Sequence, residues 1–197
     1  MPAAQHRIVP ADIAPAETYA RERAERRRAL IAVKRDRRLE VGPYATWYFE
    51  NYDTMLAQVQ EMLHIEKGGE AQIAGELEAY NPLIPQGAEL IATLMLEIDE
   101  PARRAAQLLK LAGIEDRVYL DIGPTHIAAT PTEYEDRTSE DGKTSSVHWV
   151  RFAFTKELIA AFKNPAEKVV LGIDHANYGH MAVMTPAMRA ELAKDFD

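Results

Sequence analysis

The residues best suited to chemistry lie in two groups. Glu50, Glu61 and His64 fall within FENYDTMLAQVQEMLHIE, where the E-x-x-H step from Glu61 to His64 has the spacing used by metal-binding helices. Asp174, His175 and His180 flank ANYG in VVLGIDHANYGHMAV, where a hairpin would bring opposed side chains to about 5 Å. Carboxylate and imidazole together suit iron, manganese or zinc, and the chain has no cysteine to add a thiolate. That lack also removes disulfides, iron–sulfur ligation and cysteine nucleophiles. It removes as well the P-C-x-x-C half of the nucleobase deaminase signature that His64-x-Glu66 would need.

Geometry limits the first group. On one helix rising about 1.5 Å per residue, Glu50 and Glu61 would lie roughly 16 Å apart, whereas ligands sit about 2 Å from their ion. Only Glu61 and His64 can chelate together, and a di-iron centre would need a second E-x-x-H step, which the sequence lacks. The stripe Glu50, Asp53, Thr54, Glu61 and His64 therefore reads as the polar side of an amphipathic helix, solvated or facing an interface. In the second group Asp174 points to the other face of a regular strand, so a third ligand would come from His126, Glu61 or His64. Otherwise His175 makes a structural hydrogen bond and His180 is exposed. His148 shares a strand face with Val150, Phe152 and Phe154 and reads as a core-edge histidine. Tyr178 stacks on a partner or packs on its own hairpin.

Other chemistries lack their motifs. There is no G-x-S-x-G elbow and no G-x-G-x-x-G turn, and Gly142-Lys143-Thr144 has Arg137 where a phosphate-binding loop needs glycine.

The elements that must hold these residues divide the chain. Asp12 is the expected cap of a first helix that runs through AETYARERAERRRALIAVKRDRRL to Gly42-Pro43, and Thr46 the cap of a second from Trp47 to Glu66. Helix resumes after Gly68-Gly69 as EAQIAGELEAY. ELIATLMLEI (89–98) then reads as a buried strand, followed by a helix with Pro101 in its first turn and Gly113 just beyond its end. RVYLDI, THIAAT and SSVHWVRFAFT read as strands, with the polar loop YEDRTSEDGKTS before the last. Thr155 caps a short helix, KVVLGIDH and HMAVM pair across ANYG, and Thr185-Pro186 opens a last helix. The expected fold is α+β in one domain, mainly helical over 1–87 and mainly antiparallel strand with short helices over 88–197.

A chain of 197 residues, 47% hydrophobic and with net charge −8, is expected to be soluble and cytoplasmic, with no membrane span. Residues 17–38 are the electrostatic exception, with nine Lys/Arg against four Asp/Glu, a local +5 that leaves −13 elsewhere. That run could meet nucleic acid, an acidic partner, or the protein's own Glu50, Asp53 and Glu61. Without aromatic stacking residues nucleic acid is not the expected partner.

VGPYATWYFENYDTMLAQVQEML, ELEAYNPLIPQGAELIATLMLEI and VVLGIDHANY resemble the bacterial domain-of-unknown-function family 3501, over nearly the whole chain. The resemblance implies no assigned activity. It implies a redox or oxidative-stress setting, beside rubrerythrin-like proteins and iron–sulfur oxidoreductase subunits. It runs through Phe49, Glu50, Asn51, Asp53, Thr54, Gln58, Glu61, Tyr80, Asn81, Pro85, Asp174, His175 and Tyr178, and leaves out His64 and His180. Glu50, Asn51, Asp53, Thr54, Gln58 and Glu61 would then form a recognition surface or an internal polar network, with Tyr178 as a further binding residue.

The expectation is an accessory or binding protein that meets a protein partner of a redox system through the polar side of the 47–66 helix. The alternative is a metal-dependent enzyme. In it Glu61 and His175, with Asp174, His64 or His180, hold a metal ion without thiolates, and Glu50 acts as acid or base.

Overall fold

The computed structural model describes residues 5–132, 138, 139 and 141–197. The polar loop expected over 134–145 falls in part outside them. The fold is α+β, with helices mostly in the N-terminal part and antiparallel sheets mostly beyond it.

Helix α1 spans Ala16–Arg35 and is followed directly by a hairpin of two strands, β1 (Arg38–Val41) and β2 (Ala45–Phe49). This corrects the expectation of helix on both sides of Gly42-Pro43. The pair marks a hairpin turn, and Gly42 takes a φ of +73° that an L side chain rarely adopts. Thr46 is a strand residue. Asp12 instead accepts the N–H of Val9 and closes a single 3₁₀ turn ahead of α1.

Helix α2 (Tyr52–Glu66) begins at Asn51, whose Oδ1 accepts the N–H of Thr54 at 3.0 Å while Thr54 Oγ1 accepts the N–H of Asn51 at 2.9 Å. Two amides that have no partner inside the helix are thereby satisfied. Helix α3 (Glu70–Tyr80) packs against α2. Next come β3 (Glu89–Leu96), α4 (Pro101–Lys110), β4 (Val118–Ile122), β5 (Thr125–Ala128), β6 (Thr130–Pro131) and β7 (Val147–Ala153). Helix α5 (Lys156–Lys163), the hairpin β8 (Val169–His175) and β9 (Tyr178–Val183), and α6 (Pro186–Leu192) complete the order, with Thr155 and Thr185 capping α5 and α6 as read from sequence.

The strands form two sheets, β1-β2-β3-β7-β6 and β5-β4-β8-β9, with every strand pair antiparallel. Strands β5 and β6 are separated by Ala129 alone, so one extended segment leaves the second sheet and joins the first. Side chains alternate across each strand, and the inward sets interlock. Trp47, Phe49, Leu90, Leu94, Val150 and Phe152 from the first sheet meet Leu120, Ile122, Leu171 and Ile173 from the second. Phe162, Met188, Leu192 and Phe196 join the same core. On the other face of the first sheet, Ile91 packs with Met55 and Val59 of α2 and with Ile8, Leu83 and Ile84. Strand β3 is buried on both faces for this reason, and it reads as an unbroken apolar run.

Opposite the β5–β6 crossover, β1 and β9 meet at a seam closed by one phenol. Tyr178 Oη accepts the N–H groups of Tyr44 and Ala45 at 2.8 and 2.9 Å and donates to Val41 O at 2.8 Å. Its ring is buried, and burial raises its pKa above the ordinary value. A Cβ on Gly42 would stand 2.5 Å from the His180 ring and 2.8 Å from this hydroxyl, so the turn requires glycine. Among the described residues no helix is long and apolar enough to cross a membrane.

Candidate functional site

Because helix begins at Tyr52, Glu50 is not on α2 at all. It follows β2, is 6% exposed, and accepts the hydroxyls of Thr54 and Thr93, each at 2.6 Å. Its backbone carbonyl accepts Arg37 Nη2 at 3.1 Å. Glu50 thus ties the end of β2 to β3 and to the first turn of α2, and its acid–base assignment in the enzyme reading has no approach from solvent to support it.

Apart from Asp53, the rest of the polar stripe also turns inward. Glu61 receives Arg23 of α1 through two nitrogens, Nε at 2.9 Å and Nη2 at 2.8 Å, and the hydroxyl of Tyr19 at 2.7 Å. The Arg23 bonds, then the Tyr19 bond, hold the Glu61 pKa down at about 2 against the opposing effect of burial. Burial raises Tyr19, and its bond to the carboxylate raises it further. His64 lies edge-on to Tyr19, with ring centroids 5.7 Å apart. Gln60 accepts the N–H of Ala14 at 3.2 Å, and Gln58 reaches Tyr80 at 3.5 Å. Part of the basic run is therefore spent on the protein's own acidic helix. Of the six polar residues expected as a recognition face, Asp53 alone is exposed. It borders a cavity of about 400 Å³ lined by Asn51, Ala32, Val33, Glu191, Lys194 and Asp195, among others.

The hairpin differs from the expected four-residue loop. Only Ala176 and Asn177 connect the strands, and His175 stands opposite Tyr178 while His180 stands opposite Ile173. His175 and His180 are therefore not cross-strand partners. The His175 ring accepts the Asn177 N–H at Nδ1 (3.2 Å), which leaves Nε2 as the donor to Ala112 O (3.2 Å). Both nitrogens are used, so no lone pair remains for a metal without breaking a bond. His180 packs edge-on to Tyr178 at 4.6 Å, and Asp174 is exposed on the other face. His126 binds Asp121 at 2.7 Å and lies over Tyr119 at 4.8 Å. His148 is buried, 2.9 Å from Ser145 O and 3.6 Å from Glu115. Among the described residues no group of three or more His, Asp and Glu is placed to hold a metal ion.

Two features had no clear signal in the sequence. Arg37, one of nine cations in the basic run, is 1% exposed. Its Nε donates to Phe49 O at 2.9 Å, its Nη2 to Glu50 O and Asp195, and Glu191 lies 3.5 Å from Nη1. It locks the C-terminal segment to the β2–α2 junction. Burial raises the Asp195 pKa, against the pull of Arg37.

The second feature is the outer side of α1. Tyr19 is the sole buried residue of this 20-residue helix. At about 100° per residue, Arg21, Ala24, Arg28, Ile31 and Arg35 form one stripe opposite Tyr19, Arg23 and Leu30. All five are exposed, and Ile31 is 68% exposed. Among the described residues Arg28 bonds only its own helix, at Ala24 O, and Arg21 and Arg35 have only the adjacent Glu22 and Asp36.

A crystal structure of a protein of unknown function from Burkholderia pseudomallei has the same fold, with a TM-score of 0.87 and 34% sequence identity over 96% of this chain and 99% of that one. Comparison with curated proteins gives no match. The family model described as protein of unknown function DUF3501 matches residues 7–196, and the chain belongs to that family.

Proposed function

We propose that this protein is a binding or accessory protein that docks an acidic protein partner along the outer stripe of α1. The observation that carries the reading is the contrast between the inward-turned polar residues of α2 and the stripe of Arg21, Arg28 and Arg35 around Ile31. Exposed guanidinium groups around an apolar centre suit a contact steered by charge and anchored by burial. In a chain of net charge −8, such a stripe selects for opposite charge in the partner. The redox setting implied by the family resemblance supplies the partner class, an acidic electron-transfer or oxidative-stress protein.

The test is a photo-crosslinking residue at position 31 in cells, with position 65 as control, since Ile65 is 61% exposed at the end of α2. A discrete protein adduct at 31, absent at 65 and lost in an Arg21→Glu/Arg28→Glu/Arg35→Glu background, is the expected result. An adduct removed by nuclease, or none at 31, would overturn the reading.

A further inference from the structure

The outer stripe of α1 has a period as well as a charge. Arg21, Arg28 and Arg35 recur every seven residues, and Ala24 and Ile31 alternate with them at spacings of three and four. That is the spacing by which one helix lies along another, because a seam between two helices meets each of them at every third and fourth residue in turn. The five side chains draw a line roughly 21 Å long, at about 1.5 Å per residue. Every residue from Ala24 to Ala29 is exposed, so among the described residues nothing covers the middle of that line.

The border of the line carries the opposite sign. Glu17 continues it one turn before Arg21, and Glu25 flanks it beside Arg21 and Arg28. Both carboxylates are exposed. Whatever lies along the stripe therefore meets three cations at a fixed repeat and two anions at fixed places beside them.

We infer that the element received along this stripe is an acidic amphipathic helix of the partner, its carboxylates and apolar residues alternating at three and four. The inference rests on the docking proposed above and gives that docking its form. A charged residue in a helix–helix seam sets register, and three arginines there require carboxylates at the same repeat. A second α1 does not supply them, since a two-fold axis through Arg28 would set Arg21 of each copy against Arg35 of the other. A nucleic-acid strand or an anionic membrane is negative throughout, so Glu17 and Glu25 would oppose it. A helix can place a lysine against each glutamate and a carboxylate against each arginine.

The first test is binding of a labelled three-heptad peptide, with glutamate and leucine alternating at three and four, to the full chain at low salt, read by fluorescence anisotropy. It should bind about tenfold tighter than a helical peptide of the same composition in permuted order, and than an oligonucleotide of equal net charge. In Arg21→Glu/Arg28→Glu/Arg35→Glu that advantage should vanish with an unchanged circular dichroism spectrum, since none of the three side chains is buried. A permuted peptide or an oligonucleotide that binds the wild type as tightly would overturn the helix while leaving an acidic partner at the stripe. A patterned peptide that binds the triple variant equally well would place its contact elsewhere and overturn the inference. Photo-crosslinking residues at 24 and 31 in cells give an independent reading. Their adducts should map to one segment of the partner, about seven residues apart. Adducts on segments distant in the partner's sequence, or on another copy of this chain, would overturn the helix. No adduct at 31 would remove the docking itself, and the helix with it.

Discussion

Arginine is used in two opposite ways within one stretch of this chain. Arg28 sits on the outer stripe of α1 with only its own helix as partner among the described residues, while Arg37 is buried against two carbonyls and Asp195. The first costs folding little and remains available to another molecule. The second is unavailable to any partner but fixes where the C-terminal segment lies. Charge alone therefore does not separate recognition from architecture; the number of acceptors each guanidinium meets does.

The largest test of that contrast is Arg37→Met. Methionine keeps much of the length but leaves Asp195 buried without its cation and two carbonyls without a donor. A loss of about 3–5 kcal/mol is expected from urea unfolding, as for other buried pairs broken on one side. A loss below about 1 kcal/mol would put Arg37 in the same class as Arg28 and dissolve the comparison.

The seam between β1 and β9 comes next. Gly42→Ala adds a methyl to a left-handed turn and drives it into the His180 ring, for an expected cost of about 1–3 kcal/mol. Tyr178→Phe keeps the ring but strands the N–H groups of Tyr44 and Ala45, with a similar loss of about 1–3 kcal/mol. If this hydroxyl closes the seam, protection of those two amides from hydrogen exchange should fall in the phenylalanine variant while amides in β3 keep theirs.

Acid supplies a smaller and reversible test. The folded-state pKa of Glu61 is depressed from 4.5 to about 2, chiefly by Arg23, so its contribution is present above about 4.5 and is lost as pH falls toward about 2. Asp195 acts in the opposite sense. Burial raises its folded pKa, so the contribution from its titration is present at low pH and is lost as pH rises through that value. Glu61→Gln should flatten the acid limb of stability against pH without moving the neutral plateau far, because this pair is partly exposed and screened. An unchanged acid limb would show that the α1–α2 pair is not a source of acid lability.

These examples also show what a sequence exposes. The strand β3, the helices α4 to α6 with their threonine and proline starts, and the β8–β9 hairpin were readable because each carries its own period and its own stop signals. The β1–β2 hairpin was not. RLEV and ATWYF are too short to show a period of two, and they lie between a long charged helix and a second helix whose real cap, Asn51, is easily passed over for Thr46. That shift carried Glu50 onto the wrong element and made a buried tie look like part of a polar helix face. Arg37 was hidden for a related reason. Its partner Asp195 is far along the chain, and no local pattern distinguishes it from the arginines around it. The inward turn of Glu61 was legible in outline, since an acidic stripe beside a basic helix invites pairing, but the choice of Arg23 needed the helix crossing itself.

The smallest expected effect on the fold belongs to Arg28→Glu, and it is the most informative for function. This side chain bonds only the carbonyl of Ala24 on its own helix, so thermal unfolding should keep its midpoint within about 1–2 °C. Charge reversal at the middle of the stripe should nevertheless weaken docking of an acidic partner, mainly through the association rate, and the deficit should shrink as salt rises from low to high. Arg23→Glu is the matched control on the opposite side of the same helix, facing Glu61. It should lower the unfolding midpoint and spare the association rate of the molecules that remain folded. The two variants thus test whether one basic helix divides into a side that holds the protein together and a side proposed to dock a partner. If Arg23→Glu slows association and Arg28→Glu does not, the docking surface lies on the α2 side and the outer stripe is merely solvated.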